Sequence, residues 1–287
     1  MQFNGSKAFS QAFELLRASF GKMAAIWATF FVGIIALLVA FGGMFMAMIR
    51  FSAAARTGQI VPGQSPFAGM GFSFILFYIL YLAVLFAQQI ALSRASTGRD
   101  EDTYSVALSA GLRGVLPMMG VLLIYIVAGI GGGIVVSLFM AAIMAAAQSA
   151  AVSLLIAVLL GIGAFYLFSR FSLVLPLIAI GELRNPFTAI SQSWRLTSSS
   201  ALKIMAVWFL AVVGALVLYI VVAALNTGLT GAVASTGSMP GAGAMIGLIV
   251  IMIAMGLTIG LYMVALTTAI YDQLSPSSIE ATAEAFE

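Results

Sequence analysis

Cysteine and histidine are both missing from this sequence, and charge is scarce. Without cysteine there is no disulfide framework and no thiolate metal site. Without histidine there is no imidazole-ligated haem and no histidine-dependent acid–base mechanism. Only 7% of the 287 residues are charged, where soluble globular proteins carry roughly 25%. Twelve Lys and Arg with nine Asp and Glu cannot cover a water-soluble surface for a chain of this length. The formal charge of +3 is too small to point to nucleic acid. Nucleotide-binding loops, zinc-protease helices and nucleophile elbows are also missing, and no cofactor is expected.

What is present is apolar: 63% of the chain, gathered in runs long enough to cross a bilayer as helices. These predict an all-α, polytopic membrane bundle of six transmembrane helices, at about Met23–Ile49, Met70–Leu92, Met118–Ala147, Ala151–Ile180, Ala201–Leu225 and Ala244–Tyr271. Two runs are long: about thirty residues rise about 45 Å, against a hydrocarbon core of about 30 Å. They must tilt, kink or project beyond the bilayer, and Pro176 offers a kink in the fourth. The first run is too long for a signal peptide.

The connections divide by charge. Lys7, Arg17 and Lys22 precede the first span, Arg94, Arg99 and Arg113 lie between the second and third, and Arg170, Arg184, Arg195 and Lys203 between the fourth and fifth. The opposite connections hold only Arg50 and Arg56. Ten basic residues against two put both chain ends in the cytoplasm by the positive-inside rule. Residues 1–22 read as an amphipathic interfacial helix, with Phe9, Phe13, Leu16 and Phe20 on one stripe. Residues 23–271 form the six-helix domain, and 272–287 an acidic cytoplasmic tail.

A weak repeat runs through the chain. Short amphipathic segments ending at Arg17, Arg113 and Arg195, each with Leu16, Leu112 or Trp194 before the arginine, precede the first, third and fifth spans. This predicts three interfacial helices and a threefold helix-hairpin repeat, although any interfacial segment before a span shares these features. Glycines at four-residue spacing (Gly129 with Gly133, Gly243 with Gly247, Gly256 with Gly260) are expected to let helix backbones approach, within the bundle or against a second copy or partner.

The spans hold no mid-membrane Asp, Glu or Lys, so a proton relay or ion-coupled carboxylate site has nothing to be built from. Arg170 reads in two ways: a snorkelling anchor, or a member of a shallow cavity pairing with a lipid phosphate, Asp272 or Glu182, with Gln88 and Gln89 near the same face. Arg17, Arg113, Arg170 and Arg195 are expected at one depth, where anionic headgroups would meet them. The reading that follows is a non-enzymatic protein handling lipid or organising the membrane. The alternatives are an accessory subunit of a membrane complex and a small-molecule transporter.

The stretch Arg170-Phe-Ser-Leu-Val-Leu-Pro176, followed by Glu182, Asn185-Pro186, Ala189, Ser193-Trp194 and Leu196, with Ala269-Ile-Tyr271 and Leu274 near the end, carries a family resemblance. It resembles the membrane-domain family named after glycerophosphoryl diester phosphodiesterases, with the related YciC-like bacterial inner-membrane proteins. The resemblance implies a bacterial inner-membrane location and a shared feature at Arg170, Pro176, Glu182, Ser193 and Trp194. It also implies a soluble phosphodiesterase fused elsewhere in the family, using histidine beside metal-holding carboxylates. A chain without histidine does not carry that chemistry.

Because native cysteine is lacking, single substitutions report topology cleanly. Gly63→Cys, Gln148→Cys and Ser238→Cys are expected to react with an impermeant thiol reagent applied to whole cells, and Ser277→Cys only after permeabilisation. Labelling of Ser277→Cys in intact cells would overturn the six-span topology.

Overall fold

The structure, a computed structural model, describes residues 3–57, 71–147, 149–236 and 242–275. Among these residues there are nine helices: α1 (Gly5–Ala40), α2 (Gly42–Arg56), α3 (Gly71–Ala95), α4 (Tyr104–Ala147), α5 (Ala150–Phe171), α6 (Val174–Ala179), α7 (Pro186–Leu196), α8 (Ala201–Thr236) and α9 (Ala242–Leu274). Six helical segments are long and apolar enough to cross a membrane: α1, α3, α4, α5 with α6, α8 and α9. The fold is thus the expected polytopic helical bundle. Positions 276–287 of the acidic tail lie outside the described residues.

Local chemistry sets several boundaries, not all where hydropathy puts them. Asn4 caps α1 by accepting the Lys7 N–H at 3.2 Å. From there the helix runs unbroken past residue 22, so the segment expected to lie in the interface continues into the first span. It stops at Ala40, before Gly42-Gly43, a pair of poor helix formers, so the expected span to Ile49 is divided between α1 and α2. The second expected interfacial segment is likewise continuous with α4, and only the third, α7, is a separate helix. There Asn185 accepts the N–H groups of Phe187 and Thr188, and Pro186 occupies the first helical position. In the fourth span the break comes at Ser172–Leu173. Pro176 has no N–H to offer the Ser172 carbonyl and its ring crowds that carbonyl, so the helix restarts with the proline in its first turn.

The tightest neighbours are α3 with α4 and α1 with α9, followed by α1 with α3. The first and last helices meet end to end: the Gln273 side chain accepts the Asn4 N–H and donates to Gln11, so the described chain ends lie together. The stripe that α1 buries is Ala8, Ala12, Leu16, Ser19, Met23, Ile26 and Phe30. Of the apolar stripe expected on residues 1–22, Leu16 is buried against the bundle, while Phe13 and Phe20 are exposed. Small residues on the buried stripe let α1 lie close to Ala265 and Ala269 of α9. A hydroxyl pair, Ser96 with Thr268 at 2.7 Å, ties α3 to α9 inside the core.

Nearly all the buried residues sit at one end of the bundle, the end that also gathers the ten basic residues before the first, third and fifth spans. Met23, Ile26, Leu92, Leu173, Ile204, Leu266 and Ile270 are fully enclosed there. Towards the other end the helices separate and present Val39, Phe72, Leu138 and Leu154 outward. In water that surface would be untenable, but in lipid apolar side chains lose nothing by facing the solvent, and helices associate through packing and polar contacts instead.

α3 and α4 pack backbone to backbone at Gly111. Ala87, Ala91 and Ala95 recur every four residues on α3 and are enclosed together with Ala107 of α4. A Cβ added to Gly111 would fall 2.5 Å from the Ala87 carbonyl oxygen and 2.9 Å from the Ala91 Cβ. The glycines expected to pack meet no neighbour among the described residues: at Gly129, Gly133, Gly247, Gly256 and Gly260 an added Cβ would have nothing within 4 Å. The surroundings of Gly243 fall outside the described residues. Gly111→Ala should therefore lower stability by about 1–3 kcal/mol through overpacking against backbone. Gly131→Ala, in open space, should be neutral or stabilising by up to about 1 kcal/mol. Thermal unfolding in detergent separates the two, and equal effects would contradict this α3–α4 contact.

Candidate functional site

The loop from Ser96 to Thr103 closes the α3–α4 hairpin around one carboxylate. Asp102 is completely buried. Its Oδ1 accepts from Arg94 Nε at 2.5 Å, its Oδ2 from Thr97 Oγ1 at 2.5 Å, and its carbonyl from Lys22 Nζ of α1 at 2.5 Å. Gly98 takes a left-handed backbone (φ 71), which a residue with a Cβ adopts only with strain and which lets the loop turn back. The Arg94 guanidinium also reaches the last carbonyls of α6, Ala179 and Ile180 at 3.5 and 3.3 Å, and Glu182 Oε1 at 3.5 Å. One ion pair therefore fastens α1, α3, the α3–α4 loop and the end of α6 at a single point.

Beside this knot lies a cavity of about 240 Å³ between the end of α3, the first turns of α4 and the α6–α7 connection. Arg94, Arg113 and Arg184 line it, with Glu182 as the only carboxylate; the Ser109 hydroxyl on the same wall donates to the Val106 carbonyl. Arg94 is already engaged by Asp102, whereas Arg113 and Arg184 are exposed and form no ion pair among the described residues. Positive charge thus exceeds negative at the cavity wall, and the two unpaired guanidiniums offer planar arrays of N–H donors suited to phosphate or carboxylate. Glu182 holds a positive φ of 52°, a conformation costly for a residue with a side chain, at the turn that brings it and Arg184 to the rim. Among the described residues no group of three acidic side chains is placed to hold a metal ion.

The residues expected at one depth separate into three settings. Arg113 and Glu182 share the basic cavity. Arg17 and Arg195 are exposed on α1 and α7 and line no part of it. Arg170 is 95% enclosed (5% exposed), so it is not a snorkelling anchor, and it pairs with neither Asp272 nor Glu182. Its guanidinium lies 4.0 Å over the Trp194 ring and 5.9 Å from that of Tyr166, and one terminal nitrogen donates to Thr197 Oγ1 at 3.4 Å. The Arg170 carbonyl accepts from Ser193 Oγ at 2.8 Å, so α7 is clasped to the end of α5. An aromatic face takes the place of the expected counter-ion. Asp272, half-buried in the last turn of α9, lies in the electrostatic reach of Arg99 without an ion pair. Gln88 is buried, and Gln89 lines a second cavity that Arg170 does not enter.

Sequence reasoning missed Arg94, Asp102 and Arg184 as site residues. The available signal was an aspartate in a short loop between two spans, eight positions after an arginine that ends a helix.

Because Asp102 is buried and paired, its removal leaves a largely enclosed guanidinium with only the longer contact to the exposed Glu182 as a charge partner. Asp102→Ala is expected to cost about 3–5 kcal/mol. Combining it with Arg94→Met should cost less than the sum of the two single changes, since the double variant strands no charge. Additivity in a thermal-unfolding cycle would show that the two do not act as a pair.

Comparison with known proteins bears on the half of the chain that follows the middle of α4. The family model described as the membrane domain of glycerophosphoryl diester phosphodiesterase matches residues 139–285. Neither the curated proteins nor the solved structures gave a match. The matched region contains the whole α5–α6–α7 unit, with Arg170, Pro176, Glu182, Ser193 and Trp194, on which the resemblance was first seen. With just over half of its length inside the match, this chain belongs to the family of membrane domains of glycerophosphoryl diester phosphodiesterase.

Proposed function

We propose that this chain is a non-enzymatic module of a bacterial inner membrane that holds anionic, phosphate-bearing headgroups at its basic cavity, from the cytoplasmic leaflet. The observation that carries this reading is the placing of Arg94, Arg113 and Arg184 around one cavity against a single carboxylate. Arginine recognises phosphate oxygens through paired N–H donors. Arg17, Arg195 and Lys203, exposed at the same end, add attraction to an anionic surface. The gathering of ten basic residues at this end supports a cytoplasmic placement for it and for both chain ends.

A second reading is an accessory subunit or homo-oligomer. Gly129, Gly132 and Gly133 form an open small-residue face on α4 that no part of the described chain fills, which favours a partner helix. A transporter has less support, because the spans hold no mid-membrane carboxylate or lysine.

The deciding measurement is mass spectrometry of the protein extracted from its native membrane in polymer nanodiscs, reading lipids and proteins together. Arg113→Gln with Arg184→Gln is expected to reduce enrichment of anionic phospholipid about tenfold or more, at about 1 kcal/mol per arginine. Arg50→Gln with Arg56→Gln should leave it unchanged. Equal lipid profiles for both pairs would remove the headgroup reading, and a stoichiometric second protein would put the accessory reading in its place.

A further inference from the structure

A second cavity, of about 430 Å³, lies deeper in the bundle between α3, α4, the α5–α6 turn, α8 and α9. Its wall is built largely from Met, Phe, Val and Leu side chains and contains no charged residue. Three residues on this wall each carry a buried polar atom with no hydrogen-bond partner among the described residues: Ser93 Oγ, Tyr125 Oη and Trp208 Nε1. They come from three different helices, α3, α4 and α8.

Such atoms are costly. A buried donor or acceptor left without a partner costs about 1–3 kcal/mol, and folded proteins keep few of them. Their convergence on one wall is therefore informative, and so is its selectivity. Ser172 and Thr267 line the same cavity, but their hydroxyls donate to the Ser169 and Met263 carbonyls of their own helices, at 2.9 and 2.8 Å. Ser93 could bond in the same way but does not. The two orphan rings are also held in place: Trp208 packs edge-on to Phe168 with centroids 5.3 Å apart, and Tyr125 lies against Phe171 at 5.4 Å.

The donor set names the ligand's chemistry. An indole N–H can only donate, so its partner must be an acceptor, and the tyrosine and serine hydroxyls can donate to the same class of atom. With no charge on the wall, an ionic group would be desolvated without compensation. The apolar wall calls for an apolar body. We propose that this cavity binds an uncharged, apolar molecule bearing carbonyl oxygens, held by Trp208, Tyr125 and Ser93. Two sources share that chemistry, the ester carbonyls of a neutral glycerolipid and the ring carbonyls of a quinone. The site uses none of the arginines of the basic cavity, so it stands or falls independently of the headgroup reading.

The test uses the full chain in detergent, with dioctanoylglycerol, decylubiquinone and tetradecane as probes and native mass spectrometry as the readout. At least one carbonyl-bearing probe is expected to bind well above tetradecane, and the one that does identifies the source. Tyr125→Phe and Trp208→Phe should each weaken that probe about fivefold, the worth of one hydrogen bond. Adding Ser93→Ala to both should erase its advantage over tetradecane. Without ligand Tyr125→Phe combined with Ser93→Ala should be at least as heat-stable as the parent, because it removes orphan hydroxyls and keeps the ring contacts. The triple variant also gives up indole packing against Phe168. If the triple variant does not fold, the fivefold shift in Tyr125→Phe decides alone. Failure of both carbonyl probes to exceed tetradecane, or affinities unchanged by the substitutions, overturns the proposal. Enrichment of anionic phospholipid in nanodiscs, measured on the triple variant, should stay at the parental level, which separates this outcome from that of the basic cavity.

Discussion

Asp102 is the only fully buried carboxylate among the described residues, and its burial is tolerable because Arg94 and Thr97 each donate to one of its oxygens, while Lys22 of α1 donates to the residue's backbone carbonyl. A carboxylate removed from water costs several kcal/mol unless it is paired and hydrogen-bonded. Satisfying it therefore constrains everything that reaches it. Arg94 must end α3 at that spot, Thr97 must turn the loop inward, and α1 must run far enough for Lys22 to arrive. The same Arg94 then meets the carbonyls that end α6. The basic cavity follows from this knot, since its walls are the elements the knot holds together.

The rest of the architecture follows from lipid as solvent. In a bilayer the hydrophobic effect does not press helices together, so contact persists where small residues or polar bonds supply it. At the basic end both are present: alanines and Gly111 between α3 and α4, the Ser96–Thr268 hydroxyl pair, and Arg170 under Trp194. Towards the other end the helices carry large apolar side chains and separate. Polar chemistry is thus confined to one end and layered by depth. The charged cavity lies at the rim, with Arg94 and Arg113, and the uncharged one deeper, with Gln89 and Tyr125.

Arg170 and the glycines show where reading from sequence reached its limit. An arginine after a long apolar run was recognisable as unusual, but its partner was not. Trp194 lies 24 positions away and contributes a ring face, which no charge pattern reveals. Glycine spacing pointed to Gly129–Gly133 and Gly256–Gly260, while the contact formed at Gly111. The reason is that apolar periodicity loses its meaning in lipid, because buried and exposed faces are equally hydrophobic. What separates Gly111 from Gly131 is the helix opposite.

Class, span number and the concentration of positive charge at alternate connections were determined by the sequence alone. Hydrocarbon thickness converts run length directly into spans, and too few charges remain for any soluble surface. Arg113 and Glu182, two of the residues singled out from sequence, line the basic cavity. Tertiary structure alone decided that Asp102 and Glu182, and not Asp272, pair with an arginine, that Arg170 rests on an aromatic ring, and that Ser93, Tyr125 and Trp208 line one wall. Each of these depends on which face of a helix meets which neighbour. In a chain that is apolar on every face, that choice is made by a few polar bonds and small residues, which pair only once the helices have packed.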